Sequence, residues 1–300
     1  MTFDTLLIPT DGSDPAENAA RRGFDLADRL GASVHVLSVA DSSVATGVGY
    51  SGDSASIRER LRETAQTRAT ALRDEAVERG LEATAAVREG IPANEITEYA
   101  DDHGIDAIVI GTAGRSGVAR AIVGSVADKV VRTAPVPVVT TTPDAANDET
   151  TDSVIDSILV PTDGSEKADA GSRPGLELAA QLEATAHVLS AIDAELEDAI
   201  ETVVGDDVDL SNELEARAND HLEDLAADAR DRDLEVVATI TEGTPAETIV
   251  EYAESEGIDL IAMGTAGRGG FERALVGSVT DEVVRTATVP VLTNRPDVEQ

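Results

Sequence analysis

The chain carries one pattern twice, and any fold it adopts must accommodate both copies. Residues 4–10, DTLLIPT, return as residues 156–162, DSILVPT, and HVLSVAD at 35–41 returns as HVLSAID at 187–193, both displaced by 152 positions. GIPANEITEYA at 90–100 returns as GTPAETIVEYA at 243–253, displaced by 153. An offset this constant over blocks so far apart marks a duplicated domain and not a short-period solenoid. Length agrees, since 300 residues give each half enough chain to bury its own core. The join falls within TTPDAANDETTDS, which is rich in turn formers and polar residues and has no apolar period. Domains are therefore expected at residues 1–141 and 154–295, with a linker at 142–153.

Inside each half, short apolar runs alternate with longer amphipathic stretches. The strand candidates of the first half are TLLIPT, SVHVLSV, ATAAVRE, DAIVIGT and PVPVVTT. Between the first two, a helix is expected with Ser13 as N-cap, Pro15 in its first turn and Gly31 at its end. Ile57, Leu61, Ala65, Ala69, Leu72 and Ala76 mark one apolar face of a second helix. Five strands separated by helices predict an α/β fold, a parallel doubly wound sheet with right-handed crossovers in each half. The strands are nearly continuous apolar runs, as strands covered on both faces must be. The copies differ most after the second strand, where DSSVATGVGYSGDSAS stands against DAELEDAIETVVGDDVDLSN. These read as tolerant surface loops, with a mobile flap as the alternative.

Composition removes several functions. No cysteine is present, so there is no disulfide, thiolate metal site or cysteine nucleophile, and a reducing compartment fits. The N-terminal MTFDTLLIPTDGS lacks a basic leader, and no run approaches the ~20 apolar residues of a membrane span. The expectation is a cytoplasmic protein without membrane insertion. Against 59 Asp and Glu stand only 23 Lys and Arg, a formal charge of -36 with aromatic content of 2%, so neither a basic stripe nor a stacking platform serves nucleic acid. The acidity runs along the whole chain, and Lys129 and Lys167 are its only lysines. Such a composition resembles that of salt-accumulating halophilic microbes. At ~1 M salt the Debye length is ~3 Å, and the self-repulsion is screened.

Two glycine-rich loops stand apart from this acidity. Gly111 and Gly114 form a G-x-x-G pair, nine residues follow, and Gly124 with Ser125 opens a helix; Gly264, Gly267, Gly277 and Ser278 repeat the spacing. Across residues 111–133 and 264–286, 17 of 23 positions are identical, so both copies answer to similar demands. Glycines let main-chain N–H groups reach an anion, and the amides at a helix start point at it with the dipole behind them. The loop is neither a Walker loop nor a dinucleotide fingerprint. A PTDGS turn also follows the first strand of each half, and in an open parallel sheet ligands sit beyond the carboxyl ends of the strands where strand order reverses.

PTDGS after the first strand, G-x-x-G, nine residues, G-S and a closing APVPVV-type strand together resemble the universal stress protein family, in its ATP-binding branch. The resemblance covers both halves. It implies two tandem Rossmann-like domains of the HUP, adenine nucleotide alpha hydrolase-like kind, each a five-stranded sheet of order 3-2-1-4-5. It implies a stress-response module that binds ATP, or ADP or AMP, with Mg arriving on the nucleotide. Asp11 and Asp163 would lie at the adenosine end, Val39 and Ala191 would offer backbone groups to adenine, and Gly111 and Gly264 would approach the ribose. Gly114, Gly124, Ser125 and the amide of Val126, with Gly267, Gly277, Ser278 and Val279, would hold the phosphates. Arg115 and Arg268 could reach a phosphate or pair with a carboxylate. Departures from the family pattern are Ala113 and Ala266 within the turn, and Gly269 where the first copy has Ser116. Related single-domain proteins pair through their last strand, so APVPVVTT and ATVPVLTN are expected to meet as an internal pseudo-dimer, with a further homodimer left open.

Simpler roles stand beside these. Asp11 and Asp163 could close an Asx-turn, the loop glycines could serve only a tight turn, and His35 and His187, inside strands, read as structural. No catalytic residue and no protein-only metal site is expected. A very slow ATPase and a ligand-free interaction protein are the alternatives to a nucleotide-binding regulator.

The acidity yields a first prediction. Raising KCl from about 0.1 M to about 2 M is expected to lift the thermal unfolding midpoint by about 5 °C or more. A midpoint indifferent to salt would remove the salt-adaptation reading.

Overall fold

The computed structural model describes residues 2–41, 54–112, 124–142, 154–193, 210–265 and 276–295. The chain divides into two compact units, one up to residue 153 and one from residue 154. Both divergent segments after the second strand, and the linker, fall largely outside the described residues.

In the first unit the strands are β1 (Thr5–Pro9), β2 (Ser33–Asp41), β3 (Ala83–Gly90), β4 (Ala107–Gly111) and β5 (Val138–Thr141). They are parallel and lie in the order β3-β2-β1-β4-β5. The helices are α1 (Asp14–Leu30), α2 (Ser54–Glu78), α3 (Pro92–Asp102) and α4 (Ser125–Thr133). The second unit repeats the plan with β6 (Ser157–Thr162), β7 (Thr185–Ile192), β8 (Val236–Glu242), β9 (Leu260–Gly264) and β10 (Val291–Asn294) in the order β8-β7-β6-β9-β10. Its helices are α5 (Glu166–Leu182), α6 (Leu210–Arg230), α7 (Pro245–Ser255) and α8 (Ser278–Thr286). Each unit therefore shows the expected 3-2-1-4-5 order. None of the described helices is long and apolar enough to cross a membrane.

Local chemistry explains why these elements form. Ser13 caps α1, its hydroxyl oxygen accepting from the Ala16 N–H at 3.4 Å, and Gly31 ends the helix with φ 65°, its N–H turned back to the carbonyls of Ala27 and Asp28. β1 and β6 are buried on both faces: Leu6, Leu7, Ile8, Ile158, Leu159 and Val160 expose nothing. Two carboxylates fix where these central strands begin. Asp106 Oδ2 accepts the N–H groups of Asp4 and Thr5 at 2.9 and 2.8 Å, and Asp259 Oδ2 accepts those of Asp156 and Ser157 at 3.0 and 2.9 Å. Each ties the foot of the first strand to the segment entering the fourth, which places those two strands side by side.

Two expectations need adjustment. Ala65, Ala69, Leu72 and Ala76 are buried as the apolar face of α2, whereas Ile57 and Leu61 are only half-buried. A helix of 25 residues is about 37 Å long. The nine-residue β2 beside it spans only about 30 Å, so the helix is longer than the strands it covers. The last strand starts at Val138, later than PVPVVTT suggests, because Pro135 and Pro137 have no N–H to give a ladder.

The histidines in the strands are packed against tyrosines. His35 Nδ1 lies 2.9 Å from the Tyr99 hydroxyl, and His187 Nδ1 lies 3.0 Å from that of Tyr252. Burial pushes both imidazoles below their ordinary range, and the neighbouring His103, whose ring stacks on Tyr99 at 3.8 Å, adds to the effect on His35.

Helix-to-sheet spacing differs between the units. A Cβ built on Gly175 would lie 2.3 Å from the Ala262 Cβ, and one on Gly171 2.3 Å from the Cα of Gly264. In the first unit a Cβ on Gly23 would meet the tip of the Ile8 side chain at 2.7 Å. Gly175→Ala is expected to cost about 1–3 kcal/mol by chemical denaturation, because neither contact atom can rotate away. Gly23→Ala should cost less, since Ile8 can change rotamer. The histidines give a pH prediction: below about pH 6.5 the unfolded chain binds protons that buried His35 and His187 resist, so stability falls as pH drops through that value. His35→Gln with His187→Gln should flatten that slope in unfolding curves recorded between about pH 5 and 7.

Candidate functional site

Strand order reverses between β1 and β4, and again between β6 and β9, so each unit has a crevice beyond the carboxyl ends of that pair. Three chain segments meet there in each copy.

The first is the PTDGS turn. Asp11 Oδ1 accepts from the Ser13 N–H at 3.0 Å and from the Ser13 hydroxyl at 2.6 Å, while the Gly12 N–H donates to Thr10 Oγ1 at 3.0 Å. Asp163, Ser165, Gly164 and Thr162 repeat these bonds at 3.0, 2.6 and 3.1 Å. Gly12 and Gly164 have φ of 71° and 76°, the left-handed region a tight turn here requires. Asp11 and Asp163 thus form the Asx-turn that stands as their simpler role, and their carboxylates hold the turn in shape at the crevice edge.

The second segment is the end of β2 or β7. The ladder between β1 and β2 closes at Pro9↔Leu37, and that between β6 and β7 at Thr162↔Ser190. Thr10 N–H donates to the Leu37 carbonyl, whereas Val34 N–H donates to Glu82 beside β3. By alternation, the main-chain groups of Val39 point toward the β1 side, where β1 has already turned away. Ala191 stands in the same relation to β6. Both therefore present backbone polar groups to the crevice.

The third segment is the start of α4 or α8. Gly124 is the N-cap of α4 with φ -60° and ψ 143°, and Gly277 is the N-cap of α8 with φ -60° and ψ 150°; among the described residues no side chain caps either helix. Ser125 and Ser278 are exposed at the first helical position, and Val126 and Val279 follow, half-buried. Among the described residues nothing accepts from the first amides of these two helices; α3 and α7 also begin without a side-chain cap, whereas α1 and α5 are capped by Ser13 and Ser165. The Gly124 N–H donates to the Thr112 carbonyl at 2.5 Å and the Gly277 N–H to that of Thr265 at 2.8 Å, which joins the two ends of each glycine-rich loop. Gly114, Arg115, Gly267 and Arg268, within those loops, lie outside the described residues.

Gly111 and Gly264 have a packing role as well. A Cβ on Gly111 would lie 2.9 Å from the carbonyl oxygen of Pro15 in α1, and Gly264 lies under Gly171 of α5. Among the described residues no group of three or more His, Asp or Glu could hold a metal ion. An anion is the ligand this arrangement suits, since it offers helix-start amides and a shaped turn.

Sequence reasoning missed the hydroxyls of Thr10 and Thr162, whose signal was a Thr two residues before a turn glycine. It also missed residues of α2 and α6 beside the turns. Arg68 covers Gly12, where a Cβ would meet its Nε at 2.6 Å, and His221 Nε2 lies 2.8 Å from Asp169 Oδ2. Aligning the two helices on their buried alanines and leucines would have found that pair.

The sequence profile of the universal stress protein family matches residues 2–141 and again 155–295. Universal stress protein MJ0531 of Methanocaldococcus jannaschii is 37% identical over 136 residues, 45% of this chain and 80% of its own length. Universal stress protein Rv2005c of Mycobacterium tuberculosis is 30% identical over 204 residues, covering 63% of this chain and 61% of its own. The crystal structure of a universal stress protein from Archaeoglobus fulgidus superposes with a TM-score of 0.73 at 21% identity, covering 99% of this chain and 100% of that one, which shows the shared fold. The chain belongs to the universal stress protein family and carries the family's domain twice in tandem.

Proposed function

We propose that this tandem protein binds an adenine nucleotide, ATP or its relatives ADP and AMP, in the crevice of each domain and acts as a nucleotide-responsive stress module, not as a catalyst. One observation carries the reading: in both copies the helix at the crevice begins on a glycine with no side-chain cap, while the neighbouring helix start is closed by its own serine. Phosphate oxygens are suited to the amides of Ser125 and Val126, and of Ser278 and Val279, because these amides point outward with the helix dipole behind them. The backbone of Val39 and Ala191 supports an adenine at the other end of the crevice. Gly114, Arg115, Gly267 and Arg268 belong to the same proposal by their place in the sequence, and Mg would come with the nucleotide. Net acidity does not oppose this, since oriented amides act within hydrogen-bond distance and salt screens the distant charge. In this reading the protein works in a salt-rich cytoplasm.

Small molecules released from protein purified in ~2 M KCl should include an adenine nucleotide by mass spectrometry, and calorimetric titration with ATP-Mg at that salt should show saturable binding. Gly124→Glu with Gly277→Glu should weaken binding at least about 100-fold, because each places a carboxylate where a phosphate would sit. Folded wild-type protein with no retained nucleotide and no heat of binding would refute the proposal.

A further inference from the structure

The two crevices are built alike around the turn and the helix start, but the helix after the second strand lays Arg68 over the turn in the first unit and His221 against Asp169 of α5 in the second. With the buried residues Ala69, Leu72 and Ala76 of α2 aligned on Leu222, Leu225 and Ala229 of α6, Arg68 falls on His221. In the first unit the Arg68 guanidinium lies over Gly12, next to Asp11. In the second, His221 bonds to Asp169, 3.0 Å from Oδ1 and 2.8 Å from Oδ2. Asp169 Oδ1 also accepts from the Thr162 hydroxyl at 3.0 Å, and Thr162 Oγ1 accepts the Gly164 N–H at 3.1 Å. A continuous chain of hydrogen bonds therefore runs from an imidazole on α6 to the backbone of the second turn. The first unit has Glu17 in place of Asp169, and its carboxylate bonds instead to Arg21 of the same helix, at 3.5 Å.

The chemistry of the two side chains differs where it matters for an anion. A guanidinium stays charged at any pH a protein survives, whereas imidazole changes charge between about pH 5 and 8. Asp169 as a carboxylate only accepts, so Nε2 carries the hydrogen and Nδ1 is the atom that gains or loses a proton. With Nδ1 protonated the His221–Asp169 pair is neutral; with it free the pair carries one negative charge. Among the described residues, the other ionisable groups nearest the pair along its own elements are Arg173 one turn along α5, Arg217 and Asp224 one turn to either side on α6, and Asp163 in the turn before α5. On the sheet face opposite that of His187 and Thr239, β7 presents Ala186, Val188, Ser190 and Ile192, none ionisable, and β8 presents only Glu242, at its end.

We propose that position 68 or 221 tunes the anion affinity of its crevice: Arg68 holds the first site constant across neutral pH, and the His221–Asp169 pair strengthens the second site as pH falls. This rests on the nucleotide reading above. The signal reaches the ligand along the hydrogen bonds from Asp169 through Thr162 to Gly164. The tandem would then hold one constant and one pH-responsive nucleotide site.

The test uses the full chain and two readouts. In nitrogen-edited NMR without nucleotide, the Gly164 amide should shift with pH in step with the His221 ring, and the Gly12 amide should not. In calorimetry with ATP-Mg, one class of site should keep its affinity while the other weakens at least about threefold between pH 6 and 8. His221→Arg should abolish that weakening, and His221→Gln should leave the second site weak at both pH values. A Gly164 amide that ignores His221, or an unchanged pH profile in both folded variants, overturns the proposal while leaving nucleotide binding intact. Absence of ATP binding at every pH beside a normal Gly164 titration sinks the nucleotide reading and, with it, the tuning of affinity.

Discussion

How the central strand stops decides everything at the crevice. In a parallel sheet whose order reverses at its middle, the first strand must end early and turn away, or its own continuation would fill the space beyond the neighbouring strands. Here the stop is a pair of side-chain bonds in five residues. An aspartate accepts from the serine two residues on, a threonine accepts from the glycine two residues on, and the serine then starts the next helix. The glycine and serine donors of the turn are used within it, and the Thr10 N–H reaches across to the Leu37 carbonyl of the neighbouring strand. The strand beside it runs on past the turn, and its backbone faces a space that the central strand has left.

That local closure gives the uncapped helix starts their meaning. A protein that spends serine hydroxyls on the first helix of each domain, and leaves the crevice helix to begin on bare glycine, treats two similar helix ends differently. Glycine at an N-cap is only slightly worse than serine for helix stability, so the cost of the open end is small. The gain is a set of oriented amides with no competing side chain among the described residues.

Sequence alone disclosed the parts of this design that are local. Ser13, Pro15 and Gly31 mark the first helix because capping acts over a few residues, and the duplicated blocks mark two domains because the offset is arithmetic. The glycine spacing leads to the proposal of an anion site because the spacing is itself the signal. What it did not disclose depends on residues far apart in the chain. Asp106 and Asp259 tie down strand starts about a hundred positions away, and nothing near them in sequence says so. Gly111, expected to approach a ligand, also makes room for the Pro15 carbonyl, a requirement set by how closely α1 lies on the sheet. Ile57 and Leu61 have the right helical period yet are half-buried, because periodicity reports a face and not how far the sheet extends beneath it. The contrast of Arg68 with His221 is invisible until the helices are laid over the turns.

The close seating of α5 on β9 bears on how interchangeable the two halves are. Gly171 and Gly175 let that helix descend onto Gly264 and Ala262, whereas the first unit has Ala19 and Gly23 over Gly111 and Val109. Two stretches of near-identical sequence in one gene invite recombination. An exchange that joined the first helix of the second copy to the fourth strand of the first would set a helix shaped for alanine against a valine. The chimera would keep every glycine of the G-x-x-G pattern and lose the fit of helix to sheet beneath the crevice. Each half is thus fitted to its own partner segments by packing away from the crevices.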